Sequence, residues 1–380
     1  MNLAYTAMQL AEFAASSDSI FLTDDDQQAH ALTAILGALV SPSRVVFIPS
    51  SDALPGDAAP PSPGNAGQRI AALRTLRAAM NEQDRPKIMC IMSGEAAAQR
   101  YPAPEALDAA PPRLAVGDTV DPDALTQLLT QHGYVADERV DEPGEIAVRG
   151  EVIDMFPADA ERPVRVEIAD GRVISIRAYD PVTQRTLDDL TVVAIGDAAE
   201  PPVGTGVAVL GHLQGGRIGL SPKAEQRRKR FVQLARDAAD RASREIDAID
   251  DAAWAATLAD WQPIDLEPAG DIPRFAEAQS PLAALKRFAG PLLDKRAFIL
   301  AGTERDVRFL KRRVGDRLGK ELATVGEWAD LQALKPNEAG ALMAPVDAGF
   351  VSDRHVMVAA ADLLGSRALL DDGAAPAESR

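Results

Sequence analysis

Arg149, Glu151, Asp154, Arg165 and Glu167 crowd one stretch of the chain. Two chemistries are open to such a set. Carboxylates carry out acid/base work when a cleft shifts their pKa values apart. Guanidinium groups on a rigid support instead hold a carboxylate through a planar fork. These residues alternate with apolar ones, which places them on the surface of a sheet, where surface ion pairs are as open as binding and where acid/base work lacks a cleft.

The other candidates are weaker. His30, His132, His212 and His355 are scattered and form no HxxxH or HExxH pair, and no GxSxG elbow accompanies them. A phosphate loop needs GxxxxGK[ST] between a strand and a helix. The nearest text, GDRLGK at 315–320, has the wrong spacing and sits in a helical pattern. Cys90, the only cysteine, lies in an apolar run at 88–92 and suits a small buried hydrophobe; it can make neither an intrachain disulfide nor a zinc set. The expectation is no cofactor and no metal. Arg227, Arg228, Lys229 and Arg230 offer a phosphate contact, but Asp237, Asp240 and Glu245 follow closely, so a solvated helix face is the better reading.

Composition sets limits. A chain of 380 residues holds two to four domains. Hydrophobic residues make up 46% and aromatics 4%, so the core is aliphatic. A net charge of −17 argues against strong binding to nucleic acid, which needs a basic surface, and favours a protein partner that carries basic residues. The first residues lack the basic end of a signal peptide, and no apolar run of membrane-spanning length occurs, so no membrane role and a cytoplasmic location are expected.

The elements that position the charged set are strands. Apolar residues alternate across 146–156 and again at Val164, Val166 and Ile168. Asp170-Gly171 tolerates positive φ and turns the chain into 173–179 as a hairpin, with a bulge between Val173 and Ile176 left open by their spacing. Before this platform, apolar strands at 19–23, 44–49 and 87–93 alternate with helices at 27–39 and 68–80, the pattern of a parallel sheet. A strand at 114–118 and a helix at 121–132 lead into the platform. After it, 192–195 is expected to complete the first sheet, 204–219 to be a loop, and 223–250 to be one long helix. A third α/β unit spans 295–367, with strands at 296–301, 341–345 and 356–359.

The motifs RGEVIDMFP, PVRVEIADGRVISIR and YDPVTQRTL resemble the module shared by the excinuclease subunit UvrB and the transcription-repair coupling factors, and DPVTQRTL is closer to the latter. The LPYD…SP signature of that family is partly kept, as Leu54-Pro55-Gly56-Asp57 and Ser62-Pro63. The text from RAFILAGTERD to VAAADLLGSR resembles the small domain that follows the module.

The resemblance implies an α/β fold: a degenerate helicase-like (RecA-like, P-loop-derived) domain at 1–111 and 191–290, interrupted by a strand-rich α+β docking domain at 112–190. A small α/β domain at 291–368 and a disordered tail at 369–380 complete the expected division. It also implies that the module docks the damage-recognition subunit UvrA, with Arg149 and Arg165 matching the family's contact arginines. Glu167 shares their surface. The family's aromatic contact falls on Ala169, a departure that weakens the expected complex. The partner-binding set is therefore Arg149, Arg165, Glu167 and Ala169.

The expected function is a non-enzymatic adaptor in nucleotide excision repair, with UvrA as partner. The alternatives are a split part of an ATP-dependent translocase that works with a separate motor chain, since the family's polymerase-binding and motor domains are missing, and an α/β ATPase or hydrolase. As strand-surface residues paired at most with Glu151 and Glu167, both arginines are expected to tolerate truncation within roughly 0.5 kcal/mol of fold stability.

Overall fold

A computed structural model describes residues 1–82, 85–201, 206–243 and 245–365. The expected tail at 369–380 lies outside the described residues.

The first sheet is parallel, in the order Trp261–Pro263, Gly216–Leu220, Ser19–Thr23, Met89–Ser93, Val45–Ile48. Ser19–Thr23 and Met89–Ser93 are buried at every position, as central strands covered by helices on both faces must be. The helix Asp26–Leu39 starts where the Asp25 carboxylate accepts the Gln28 N–H at 2.8 Å. The helix Pro63–Asn81 starts with proline in its first turn, where no amide partner is lost.

Three expectations fail in this region. Val192–Ala194 does not complete the first sheet; it pairs antiparallel with Arg113–Ala115. The sheet is completed instead by Gly216–Leu220, which begins inside the segment expected to be a loop and ends one residue past it. Its glycines hid it: Gly216 approaches Asp18 and Gly219 approaches the Phe21 ring so closely that a Cβ would clash, and a strand chosen for close approach lacks apolar alternation. The long helix ends at Ala242, where Ser243 adopts φ 50°, and a separate helix, Asp251–Leu258, follows.

The second sheet has six strands in the order Thr186–Leu190, Arg172–Tyr179, Val164–Ala169, Val152–Met155, Glu145–Arg149, Val135–Ala136. All neighbours are antiparallel except the last pair. Alternation sends Ile146, Ile153, Val166, Val173 and Ile176 to the inner face, where Leu125 and Leu129 of helix Pro122–Gln131 cover them. Asp170 (φ 49°) and Gly171 (φ 70°) form the expected turn. The register shifts between Glu167 and Ile168, leaving Ile174 as the extra residue between Val173 and Ser175. The spacing of Val173 and Ile176 is therefore that of a bulge.

The third sheet runs Leu322–Val325, Ala339–Met343, Ala297–Gly302, His355–Ala359, Phe350–Val351, parallel except for the last pair. One apolar cluster joins it to the first: Phe21, Met89 and Ile91 share a core with Ile299, Leu342 and Phe350. The helix Leu3–Ala11 contributes to that cluster, with Tyr5 packed on Phe350 at 4.8 Å between ring centroids. The second sheet meets the first through helix Pro63–Asn81. A Cβ at Gly67 would lie 2.5 Å from the Ala158 carbonyl, so glycine is required for the approach, and Arg74 reaches Asp197 at 2.7 Å across the joint.

Candidate protein docking site

The hairpin turns fix which charged side chains share a face. Gly150 follows Arg149 with φ 65°, so the chain reverses in two residues and Arg149 pairs with Val152. Ala147 then stands opposite Asp154, Asp154 opposite Arg165, Arg165 opposite Arg177, and Arg177 opposite Asp189. The outer face of the sheet thus carries a row of charges across its strands, with two arginines side by side between Asp154 and Asp189.

Asp154 is the centre of this row and is only 3% exposed. It accepts two hydrogen bonds from Arg165, from Nε at 2.7 Å and Nη2 at 2.9 Å. Arg149 donates from Nη1 at 3.4 Å. Arg149 also donates from Nη2 to the Glu138 carbonyl. Arg165 lies over the Tyr179 ring, 5.1 Å from its centroid. The hydrogen bonds with Asp154 raise the Arg165 pKa above the ordinary guanidinium value, and burial does the same to the Tyr179 phenol. Arg165 stays charged at every physiological pH.

The structure brings Arg149 and Arg165 together on one buried carboxylate. That is not the pairing with Glu151 and Glu167 that the sequence offered as the plain structural role. Glu151 sits exposed in the turn. Glu167 is one position further along the same face, held by Ser175 Oγ at 2.8 Å and Arg177 Nη2 at 2.7 Å. Ala169 is on that face too, at the hairpin end opposite Arg172. Sequence reasoning passed over Asp154 as a docking-site residue and missed Tyr179 and Arg177. Their common alternation, 175, 177, 179, points to one face once the bulge at Ile174 is placed.

The arrangement is rigid and remains accessible. The Arg149 and Arg165 side chains keep 56% and 32% of their surface, and Nη1 of Arg165 donates to nothing among the described residues. A cavity of about 420 Å³ lined by Asp137, Glu138, Ala147, Val148 and Arg149 adjoins them. Two guanidinium groups share one carboxylate, with Asp137, Glu138 and Glu167 nearby. Guanidinium edges held in this way have the geometry to meet a carboxylate.

The other candidates are placed differently. Arg227 faces Glu95 at 3.5 Å, and Lys229 faces Glu225 at 3.5 Å. Arg228, 1% exposed, is tied to Glu225 at 2.8 Å and to Asp251. The basic run is therefore largely internally paired; Arg228 departs from the expected solvated face, because it is buried against Glu225 and Asp251. Residues 315–320 form the end of helix Glu304–Leu318 and its left-handed cap, Gly319. At the carboxyl end of Ser19–Thr23, where doubly wound sheets bind phosphates, Asp24, Asp25 and Asp26 open the next helix. Asp24 accepts from Ser221 Oγ and from the Lys223 N–H, and Asp26 accepts from Ser50 N–H and Oγ at 2.7 Å. Gly94 lies so close to Ala224 that a Cβ would stand 2.1 Å from the Ala224 carbonyl. The crevice holds the chain's own carboxylates and backbone.

Comparison with known proteins converges on the same sheet. Residues 113–200 match the UvrB interaction domain. The chain is 31% identical over 182 residues to the transcription-repair coupling factor of Bacillus subtilis (strain 168), covering 48% of this chain and 15% of that protein. It is 33% identical over 183 residues to that of Myxococcus xanthus (46% of this chain, 15% of the relative), and 32% identical over 184 residues to that of Haemophilus influenzae (48% and 15%). The chain thus carries a UvrB interaction domain, and about half of it is similar to transcription-repair coupling factors, consistent with an N-terminal region of such a protein. The matched stretch spans 15% of the length of these relatives.

Proposed function

We propose that this chain is a non-catalytic adaptor in nucleotide excision repair and that the outer face of its second sheet docks UvrA. The observation that carries the reading is the convergence of Arg149 and Arg165 on buried Asp154 within the matched domain. Groups held on a rigid sheet lose little freedom on binding, and a planar fork gives direction to a contact with a carboxylate. Glu167, tied to Arg177, completes the polar surface, and Ala169 leaves room where an aromatic would add apolar contact.

The first sheet fits a degenerate helicase-like unit in this reading. Its strands come from both sides of the docking unit, and three aspartates stand where a phosphate loop would begin. We place the docking unit at 112–200 instead of 112–190, because Val192–Ala194 pairs with Arg113–Ala115 and the family match runs to residue 200. Among the described residues no helix is long and apolar enough to cross a membrane.

The test is co-elution with purified UvrA in size-exclusion chromatography, with phosphate release from ATP measured in parallel. A complex that carries no DNA-stimulated ATP hydrolysis assignable to this chain is the expected result. Failure to co-elute at tens of micromolar removes the adaptor reading; phosphate release by this chain alone revives the ATPase alternative.

A further inference from the structure

We propose that the cleft between the first and third sheets is a docking groove for a basic amphipathic segment of a partner protein. The cleft has a volume of about 870 Å³, toward the upper end of the range of about 300–1,000 Å³ that small-ligand pockets span. Its walls are the first turn of helix Leu3–Ala11, the connection at 264–271 and the loop at 345–348. Its floor is apolar: Ile35 and Ile264 are buried there, and Leu220, at the end of its strand, stays 40% exposed.

Charge identifies the occupant. Asp265, Glu267, Asp271 and Asp347 line the cleft, and no Lys, Arg or His side chain does, which leaves the Met1 amino group as the one cation among its lining residues. None of the four carboxylates has a cationic partner among the described residues. Elsewhere Asp18, Asp154, Asp197, Glu200 and Asp251 each hold an arginine. A cleft with an excess of one sign focuses its field outward and attracts the opposite charge. The Met1 amino group and the helix N-terminus at Leu3, the latter about half a positive charge, still leave the four carboxylates in excess.

The chemistry selects among cations. Among the described residues no group of carboxylates is gathered closely enough to hold a metal ion. Nucleic acid has the wrong sign. An apolar floor under an acidic rim matches a peptide whose apolar side chains enter while its lysines or arginines meet the rim. This surface is separate from the docking sheet and does not depend on that reading.

The probe is a fluorescein-labelled peptide of Leu and Lys at helical spacing, about 14 residues or roughly four turns, titrated with the whole chain in a fluorescence anisotropy assay. Micromolar binding is expected. Asp265→Asn with Asp347→Asn should weaken it by about tenfold or more. Asp188→Asn with Asp189→Asn, the same charge change on a distant strand, should alter it by less than about twofold. Leu220→Arg, which fills the floor and repels the peptide, should abolish it, and thermal melts confirm that each variant folds. No binding by the wild-type chain at millimolar concentration overturns the proposal. So does equal weakening by the two double variants, since bulk charge then explains the affinity, or equal binding of a Leu/Glu peptide.

Discussion

Replacing Arg165 with alanine should destabilise the docking sheet, against the sequence-based expectation that a strand-surface arginine is dispensable. The variant removes both short hydrogen bonds to Asp154, at 2.7 and 2.9 Å, and leaves the carboxylate with Arg149 at 3.4 Å. Asp154 is 3% exposed and cannot recover its lost partner from bulk water. Breaking a buried pair by removing one member costs about 3–5 kcal/mol. The Arg165 side chain keeps 32% of its surface, so water reaches part of the gap and screens the stranded charge. The working figure is about 2 kcal/mol. Because the chain holds several sheets, one global transition does not isolate this term. Amide hydrogen exchange across 145–179 does, since local opening reads the stability of that unit directly. Arg165→Ala should speed exchange there by about thirtyfold, the equivalent of 2 kcal/mol, and leave Ala297–Gly302 of the third sheet unchanged. Removing the stranded charge as well, in Arg165→Ala with Asp154→Ala, should restore at least half of the loss. Exchange within about twofold of wild type in the single variant would refute the reasoning, as would a double variant worse than the single one.

Further predictions follow from the same geometry. Burial lowers the pKa of His212 and His355 from 6.5 to about 4, so the unfolded chain takes up protons first. Their contribution is complete above about pH 6.5 and falls as pH drops toward 4, by on the order of 3 kcal/mol for each residue. Thermal melts from pH 7 to 4 should show the loss, and His355→Asn should flatten the slope; an unchanged slope would contradict it. Gly94→Ala should cost about 2 kcal/mol by pressing a methyl group onto the Ala224 carbonyl. Gly37→Ala, with no atom within 4 Å of the added carbon and a helical position, should be neutral or stabilising by up to about 1 kcal/mol; equal melts for the two variants would sink the packing argument. Duplex DNA should bind no tighter than about 10⁻⁵ M at physiological salt, given the net charge of −17 and the paired Arg227 and Arg228. A salt titration showing submicromolar affinity would overturn that expectation.

Alternation and turn chemistry make the second sheet legible in the sequence. Apolar residues at 164, 166 and 168 leave Arg165 and Glu167 outside, and Asp170-Gly171 marks the reversal. Hidden from that reading was the identity of each charge's partner. Asp154 meets Arg165 only because two hairpins set the register across three strands, and a register is a property of turns summed over distance. The first sheet shows the same limit. Buried strands such as Ser19–Thr23 announce themselves by their apolar runs. Gly216–Leu220 does not, because it was shaped by close approach to Asp18 and Phe21. Val192–Ala194 looks like any short edge strand, and only tertiary pairing decides which sheet receives it.

The central claim is that Arg149 and Arg165 form a protein-docking centre. Calorimetry of UvrA with the wild-type chain, Arg149→Ala and Ala169→Phe tests it most directly. Arg149 makes one long contact with Asp154 and one hydrogen bond to the Glu138 carbonyl, is 56% exposed and leaves Asp154 held by Arg165, so its truncation disturbs the fold less than that of Arg165. A weakening of about 2–5 kcal/mol for Arg149→Ala, with an unchanged melt, is predicted, together with tighter binding by Ala169→Phe. Wild-type affinity in Arg149→Ala would place the docking centre elsewhere and contradict the account.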